Sequence, residues 1–277
     1  MRKKKPSVIE QIGVHTVLFF GSLIMIVPFV WMVSTSFKAP EEVYLIPPRW
    51  IPNNPTLSNY IDLFEAMNFG KPFMNTIIVA LSITFLSVIL SSMAGYGFAK
   101  FKFRGKDKLF LIVLGTLMVP GQITMIPVFL MLNQMGLVNT YAGLIFPPIA
   151  NAFNIFFMRQ FIMSLPDELI DAAKMDGANE GFIFFKIILP LTKPALAAIT
   201  IFTFTGSWNS FLWPLIIAQD ESMYTLPVAV SVLGGQYTER IALQMAGACI
   251  VIAPLIIVFL VAQKYFIKGI ALTGLKG

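Results

Sequence analysis

The sequence predicts an all-α polytopic membrane protein with six transmembrane helices, and three observations carry this. Hydrophobic residues fill 57% of the 277 positions and charged residues only 12%, about half the charge of an ordinary soluble domain. The few charges gather between long uncharged runs. Several of those runs exceed the roughly 20 apolar residues that a bilayer core of about 30 Å requires.

Each crossing follows from a run. The first is residues 13–36. Arg2, Lys3, Lys4 and Lys5 before it imitate a secretory signal, but the run exceeds the signal core of about 7–15 residues and reads as an uncleaved helix. The second is residues 74–98, between Lys71 and Lys100. The uncharged run from 109 to 158 holds the third and fourth, 109–132 and 141–162, parted by Asn133, Gln134, Gly136 and Asn139 as a turn. Pro120, Gly121 and Pro127 interrupt the third, as a hinge or a static kink. The fifth, 195–218, follows Lys193, and the sixth, 245–266, follows Arg240. His15 and Cys249 are the chain's single His and Cys; they make neither a disulfide nor a zinc site.

Sixteen of the twenty Lys and Arg fall on one side if both termini are cytoplasmic, and only Lys38, Lys71, Arg49 and Arg240 fall outside. That asymmetry sets the expected orientation. The net charge of +6 therefore marks membrane topology rather than nucleic acid, which we expect the chain not to bind.

Outside, residues 38–71 carry Pro40, Pro47, Pro48, Pro52 and Pro55, which argue against helix in the first half. Tyr60, Leu63, Phe64 and Met67 then predict a short amphipathic helix over Ser58–Met67, a rest on the membrane or a contact for an external partner. Inside, the basic link 99–108 reads as a solvated turn facing lipid headgroups.

The segment 164–193 holds eight charges. Burying them in lipid would cost on the order of 20 kcal/mol, so it stays in the cytoplasm. It is nonetheless built for order. Ser164 and Asp167 imitate a capping box, Asp167 and Glu168 suit a first turn, and Ala172 and Ala173 favour helix. Gly177 can end that helix in the left-handed conformation. Asn179 can cap a second helix bearing Phe182, Phe185, Ile188 and Leu189 and ending before Pro190. Small side chains flanked by acids suit a docked partner, and equally an ordinary surface helix.

This segment resembles the cytoplasmic loop of binding-protein-dependent ABC import permeases. The family pattern is Glu-Ala-Ala, three residues, Gly, nine residues, Ile-x-Leu-Pro. Here Asp171-Ala172-Ala173, Gly177 and Ile187-Ile188-Leu189-Pro190 keep both spacings, with Asp171 in place of the usual Glu. The stretches PPRWIPNNPTLSNYIDLF, MVPGQITMIPVFLMLNQMGLVNTYAGLIFP, Trp208-Asn209 with FLWPL, and YFIKGIALTGLKG resemble the smaller subunit of the maltose-type carbohydrate branch.

The resemblance implies a type I importer core over 71–268, preceded by residues 1–70 and followed by a cytoplasmic tail, 269–277. It implies a bacterial or archaeal plasma membrane, a second homologous permease as heterodimer partner, two ATPase subunits and an external substrate-binding protein. It makes Asp171, Ala172, Ala173, Met175, Asp176 and Gly177 the ATPase-coupling helix. It points Gly234, Gly235, Gln236 and Tyr237 at the binding protein, and Gly274–Gly277 at the ATPase pair. Two adjacent glycines suit a tight projecting turn, and equally a flexible connector. ATP and Mg would be bound by the partner ATPase, with no cofactor in this chain. Gly70-Lys71 and Gly105-Lys106 lack the spacing and the Ser or Thr of a phosphate loop.

The middle of the spans carries no charge, which argues against an ion-coupled carrier. Gln122, Asn151, Asn154, Ser207, Trp208 and Asn209 are polar or amphipathic there. Amides and an indole suit a neutral sugar; interhelical hydrogen bonding accounts for the amides equally well. Glycerol-phosphate or another polyol is the alternative cargo.

Overall fold

A computed structural model describes residues 8–236 and 240–273, and every regular element among them is helical. Three helices are long and apolar enough to cross a membrane, and up to six crossings result if each bent pair counts as one.

The described residues pack as two units, those within 8–68 and 230–253 and those within 69–229 and 254–273. In the first, α1 (Val8–Ser36) is 29 residues long and leaves apolar side chains such as Phe19, Phe20 and Ile24 exposed. A single turn, α2 (Pro40–Val43), forms where the prolines argued against helix. Pro40 stands in its first turn, where no N–H is needed. The amphipathic helix appears as α3 (Ser58–Ala66). Its Asn59 amide donates to Ser36 O and Lys38 O, at 3.0 and 2.8 Å. Its Leu63 packs with Leu233 and Leu243.

Helix α14 (Leu226–Gln236) runs straight through Gly234 and Gly235, where the sequence suggested a turn. The Gln244 side chain donates to Gly234 O at 3.1 Å. Contacts of this kind outweigh the modest helix penalty of glycine. In α15 (Ile241–Thr273), a β-carbon on Gly247 would stand 2.6 Å from Val230 Cγ1, so glycine lets the two strands of chain approach.

The second unit is built on α4 (Gly70–Lys100), 31 residues without an internal break. Beside Val79, Ile83 and Tyr96, its buried face is largely small and polar, with Thr76, Ala80, Thr84, Ser87, Ser91, Ser92 and Gly95. Thr76, Thr84 and Ser92 return their hydroxyls to carbonyls four residues back. Such residues let helices approach closely where lipid provides no hydrophobic drive. Helices α7 (Tyr141–Ile149), α8 (Ala152–Met163) and α12 (Lys193–Trp208) pack on this face.

The predicted third span is bent by 98° between α5 (Lys106–Thr116) and α6 (Gly121–Gln134), with Pro120 at the break. The fourth bends by 43° between α7 and α8. The predicted fifth is not one helix. It stops at Trp208 and resumes as α13 (Leu212–Ile217). The turn before α7 falls where expected, with Gly136 and Asn139 at positive φ.

Candidate functional site

The segment after α8 folds as the predicted pair of helices. The first is α9 (Glu168–Met175). Gly177 has φ +78°. The Gly177 and Ala178 N–H groups donate to Lys174 O and Ala173 O, at 3.0 and 2.9 Å. This glycine stop satisfies the carbonyls that α9 would otherwise leave bare.

The second helix starts as α10 (Glu180–Phe182), with Asn179 Oδ1 accepting from the Phe182 N–H at 2.8 Å. It widens into a π-helical segment, Ile183–Ile188, and closes as α11 (Leu189–Leu191). The chain therefore stays helical past Pro190. That residue is the second of α11.

The predicted capping box does not form. Ser164 Oγ donates to Phe161 O at 2.7 Å, and Asp167 makes no cap bond. Asp167 is engaged elsewhere. Lys100 Nζ, from the last residue of α4, lies 2.5 Å from Asp167 Oδ1 and 2.6 Å from Leu165 O. This contact holds the Asp167 carboxyl below the usual carboxylate range. Lys174 Nζ pairs with Glu180 Oε1 at 2.8 Å, and the Tyr96 hydroxyl donates to Glu180 Oε2 at 2.8 Å. The Lys174 hydrogen bond, ahead of Tyr96, draws the Glu180 carboxyl down, and Glu180 raises Lys174 in return. Beneath, Ile170 packs with Tyr96, Ile183 and Phe184 in one apolar cluster.

The knob so held presents Asp171, Ala172, Met175, Asp176 and Gly177 to the outside, with Met175 88% exposed. Ala173 does not share this surface. It is half-buried against the knob's own apolar cluster, because it lies three residues from Ile170 on the inner side of α9. The accessible patch is thus one alanine and one methionine between two carboxylates. It has the chemistry of a docking surface, not of a reaction centre.

A second site lies among α4, α7, α8, α12 and α13. It is an open cleft of about 240 Å³, with Asn151, Asn154 and Ser207 in its wall. Trp208 and Asn209 do not line it. Trp208 is only 2% exposed, buried against Phe73 and Phe204, and Asn209 is exposed beyond the end of α12. Gln122 is exposed at the start of α6 and also absent from the wall.

Asn154 works as a tie. Its amide donates to Thr203 Oγ1 at 2.8 Å and Ser87 Oγ at 3.3 Å, joining three helices. Asn151 Oδ1 caps α8 by accepting from the Asn154 N–H at 3.0 Å. The wall includes Thr203, Ser210 and Trp213, which the sequence reading did not select. Thr203, Ser207 and Ser210 recur at helical spacing, so the hydroxyl stripe was visible in principle. The Trp213 indole N–H is buried without a hydrogen-bond partner among the described residues.

Of the residues pointed at an external protein, Gly234 and Gly235 lie within α14, as does the backbone of Gln236. Tyr237 lies outside the described residues, as does the tail Gly274–Gly277. Among the described residues no group of His, Cys, Asp and Glu is placed to hold a metal.

Residues 87–272 match the family described as binding-protein-dependent transport system inner membrane component. The chain is 39% identical to the arabinooligosaccharides transport system permease protein AraQ of Halalkalibacterium halodurans, over 93% of this chain and 94% of the relative. It is 34% identical to the lactose transport system permease protein LacG of Rhizobium radiobacter, over 97% and 96%. Among solved structures, it superposes with a TM-score of 0.80 on a chain from the crystal structure of a bacterial ABC transporter involved in the import of the acidic polysaccharide alginate. The two are 27% identical, over 95% of this chain and 100% of that one. The family match over 87–272 contains the two-helix knob and the cleft wall apart from Val79 and Ile83. The chain belongs to the family of binding-protein-dependent transport system inner membrane components.

Proposed function

We propose that this subunit carries a neutral sugar or oligosaccharide into a bacterial cell, driven by ATP hydrolysed on partner subunits. Both termini and the knob lie in the cytoplasm, with six crossings at about 13–36, 74–98, 109–132, 141–162, 195–218 and 245–266. The exposed Asp171–Gly177 surface seats in an ATPase subunit, of which the complex holds two, with ATP and Mg bound there. A second homologous permease completes the membrane pathway, and an external binding protein delivers the cargo, with Gly234–Tyr237 on its side of the membrane. The cleft supplies this subunit's share of the pathway, through Asn151, Ser207 and the hydroxyls beside them.

The observation that carries the reading is the knob itself. It is a short charged helix, ended by Gly177 and anchored to α4 on one face, whose other face has nothing among the described residues to cover it. The cargo assignment rests on the relatives named for arabinooligosaccharides and lactose, and on a described cleft wall without a charged residue. A phosphate-bearing cargo has no cation in that wall to receive it.

The test is Gly177→Pro in the whole importer. Membrane insertion is expected to persist, and uptake of lactose or arabinotriose to disappear. Uptake at the parent rate with the ATPase still associated would refute the coupling role. Transport by this chain alone in liposomes, without ATP, would replace the reading with a self-sufficient carrier.

A further inference from the structure

Glu180 is the junction of three elements. One carboxylate oxygen takes Lys174 from the last turn of α9, and the other takes the Tyr96 hydroxyl from α4, 84 residues earlier. The Tyr96 ring is itself locked, with centroids 5.2 Å from Phe101 and 5.7 Å from Phe184. Lys100, one turn further along α4, holds the start of α9 through Leu165 O and Asp167. The glycine stop and the Asn179 cap close the end of α9 and the start of α10 without help from α4. The bonds to α4 add something different, a fixed orientation between knob and α4.

What α4 does with that orientation follows from its length. It runs unbroken from this junction to Val79 and Ile83 in the cleft wall. The other helix pairs of this unit contain breaks and bends of 43° to 98°, where a push is absorbed by rotation. A continuous helix passes displacement along its axis instead. An exposed ion pair contributes little to stability, so the value of the Lys174–Glu180–Tyr96 chain lies in position. We propose that Tyr96 and Glu180 are positioning residues that convert movement of the docked knob into movement of α4, and so of the cleft wall. This rests on the docking role proposed for the knob.

The test uses the assembled importer in nanodiscs, in a Cys249→Ala background with Ser207→Cys as reporter. The introduced thiol reads the cleft through its rate of labelling by a water-soluble maleimide. Trapping with ATP and vanadate shifts the population of states and is expected to change that rate by about five-fold or more. Adding Tyr96→Phe, which keeps the ring contacts and removes one oxygen, is expected to cut the change to less than about two-fold while ATP hydrolysis and subunit assembly persist. Exchanging the charges, Lys174→Glu with Glu180→Lys, is expected to restore more of the response than Glu180→Lys alone. A Tyr96→Phe complex that responds like its reference overturns the proposal. A reference complex that does not respond to ATP overturns the docking reading, and the proposal with it.

Discussion

Gly95 of α4 lies against Met158 of α8 so closely that a β-carbon on it would stand 2.8 Å from the Met158 β-carbon and 2.9 Å from the Arg159 nitrogen. Backbone cannot yield as a flexible side chain does. Gly95→Val is therefore expected to force α4 and α8 apart and cost about 1–3 kcal/mol or more. The purified complex in detergent would show it as a lower melting temperature. Gly97, two residues on, has open space around it, and Gly97→Ala is expected to leave that temperature unchanged.

Gly177 separates conformation from contact. Nothing lies within 4 Å of a β-carbon built there, yet its φ is +78°. Gly177→Ala is expected to cost about 1–2 kcal/mol, from left-handed strain alone. Gly177→Val adds β-branch crowding, and Gly177→Pro cannot adopt the angle at all. Uptake is expected to fall in the order Gly, Ala, Val, Pro, with membrane insertion constant across the series.

The pair Lys174–Glu180 predicts a pH window. Glu180 is lowered from 4.5 chiefly by Lys174, so its stabilising effect is full above that value and disappears as pH falls through the lower folded value. Lys174 is raised from 10.5 by the same contact, so its effect persists below that value and fades only at higher pH. Hydrogen exchange over 167–182, corrected for intrinsic rate, is expected to be equal at about pH 7 and about pH 5 and faster at about pH 3. Glu180→Gln is expected to flatten that difference. Asp167, held low by Lys100, adds to the acid limb and remains in the variant, so some of the acid response is expected to survive.

Asn154 is buried and divides its amide between Ser87 and Thr203. Interhelical hydrogen bonds in membranes average about 0.6 kcal/mol each, so Asn154→Leu is expected to cost about 1–2 kcal/mol. A melting curve checks this. The double variant Asn154→Leu with Thr203→Val is expected to cost less than the sum of the two single changes, because the two side chains are partners.

Much of this was legible beforehand. The long apolar helices α1, α4 and α15 follow from runs of uncharged residues, and the knob from Gly177, Asn179 and their spacing. What stayed hidden depends on side-chain direction and on distant partners. The count from Ile170 to Ala173 gave no sign that Ala173 faces inward, since it required knowing where the apolar cluster lies. Trp208 looked like a sugar platform because indoles suit that chemistry, yet Phe73 and Phe204 enclose it. Tyr96 drew no notice, because its partner Glu180 is 84 residues away. The breaks at Pro120 and Asn209 differ in the same way. The first is dictated locally by a residue that cannot donate, whereas the second follows no proline and was read as continuous helix.

The wide turn at Ile183–Ile188 has a consequence for the chain's tolerance of length changes. A π-helical run spends more residues per turn than an α-helix does. It is a built-in surplus, so losing one residue there can be taken up by reverting to the ordinary pitch. The eight residues of α9 hold no such reserve. A deletion within them rotates Met175 relative to Ile170 by roughly 100° and turns the outward face into the wall behind it.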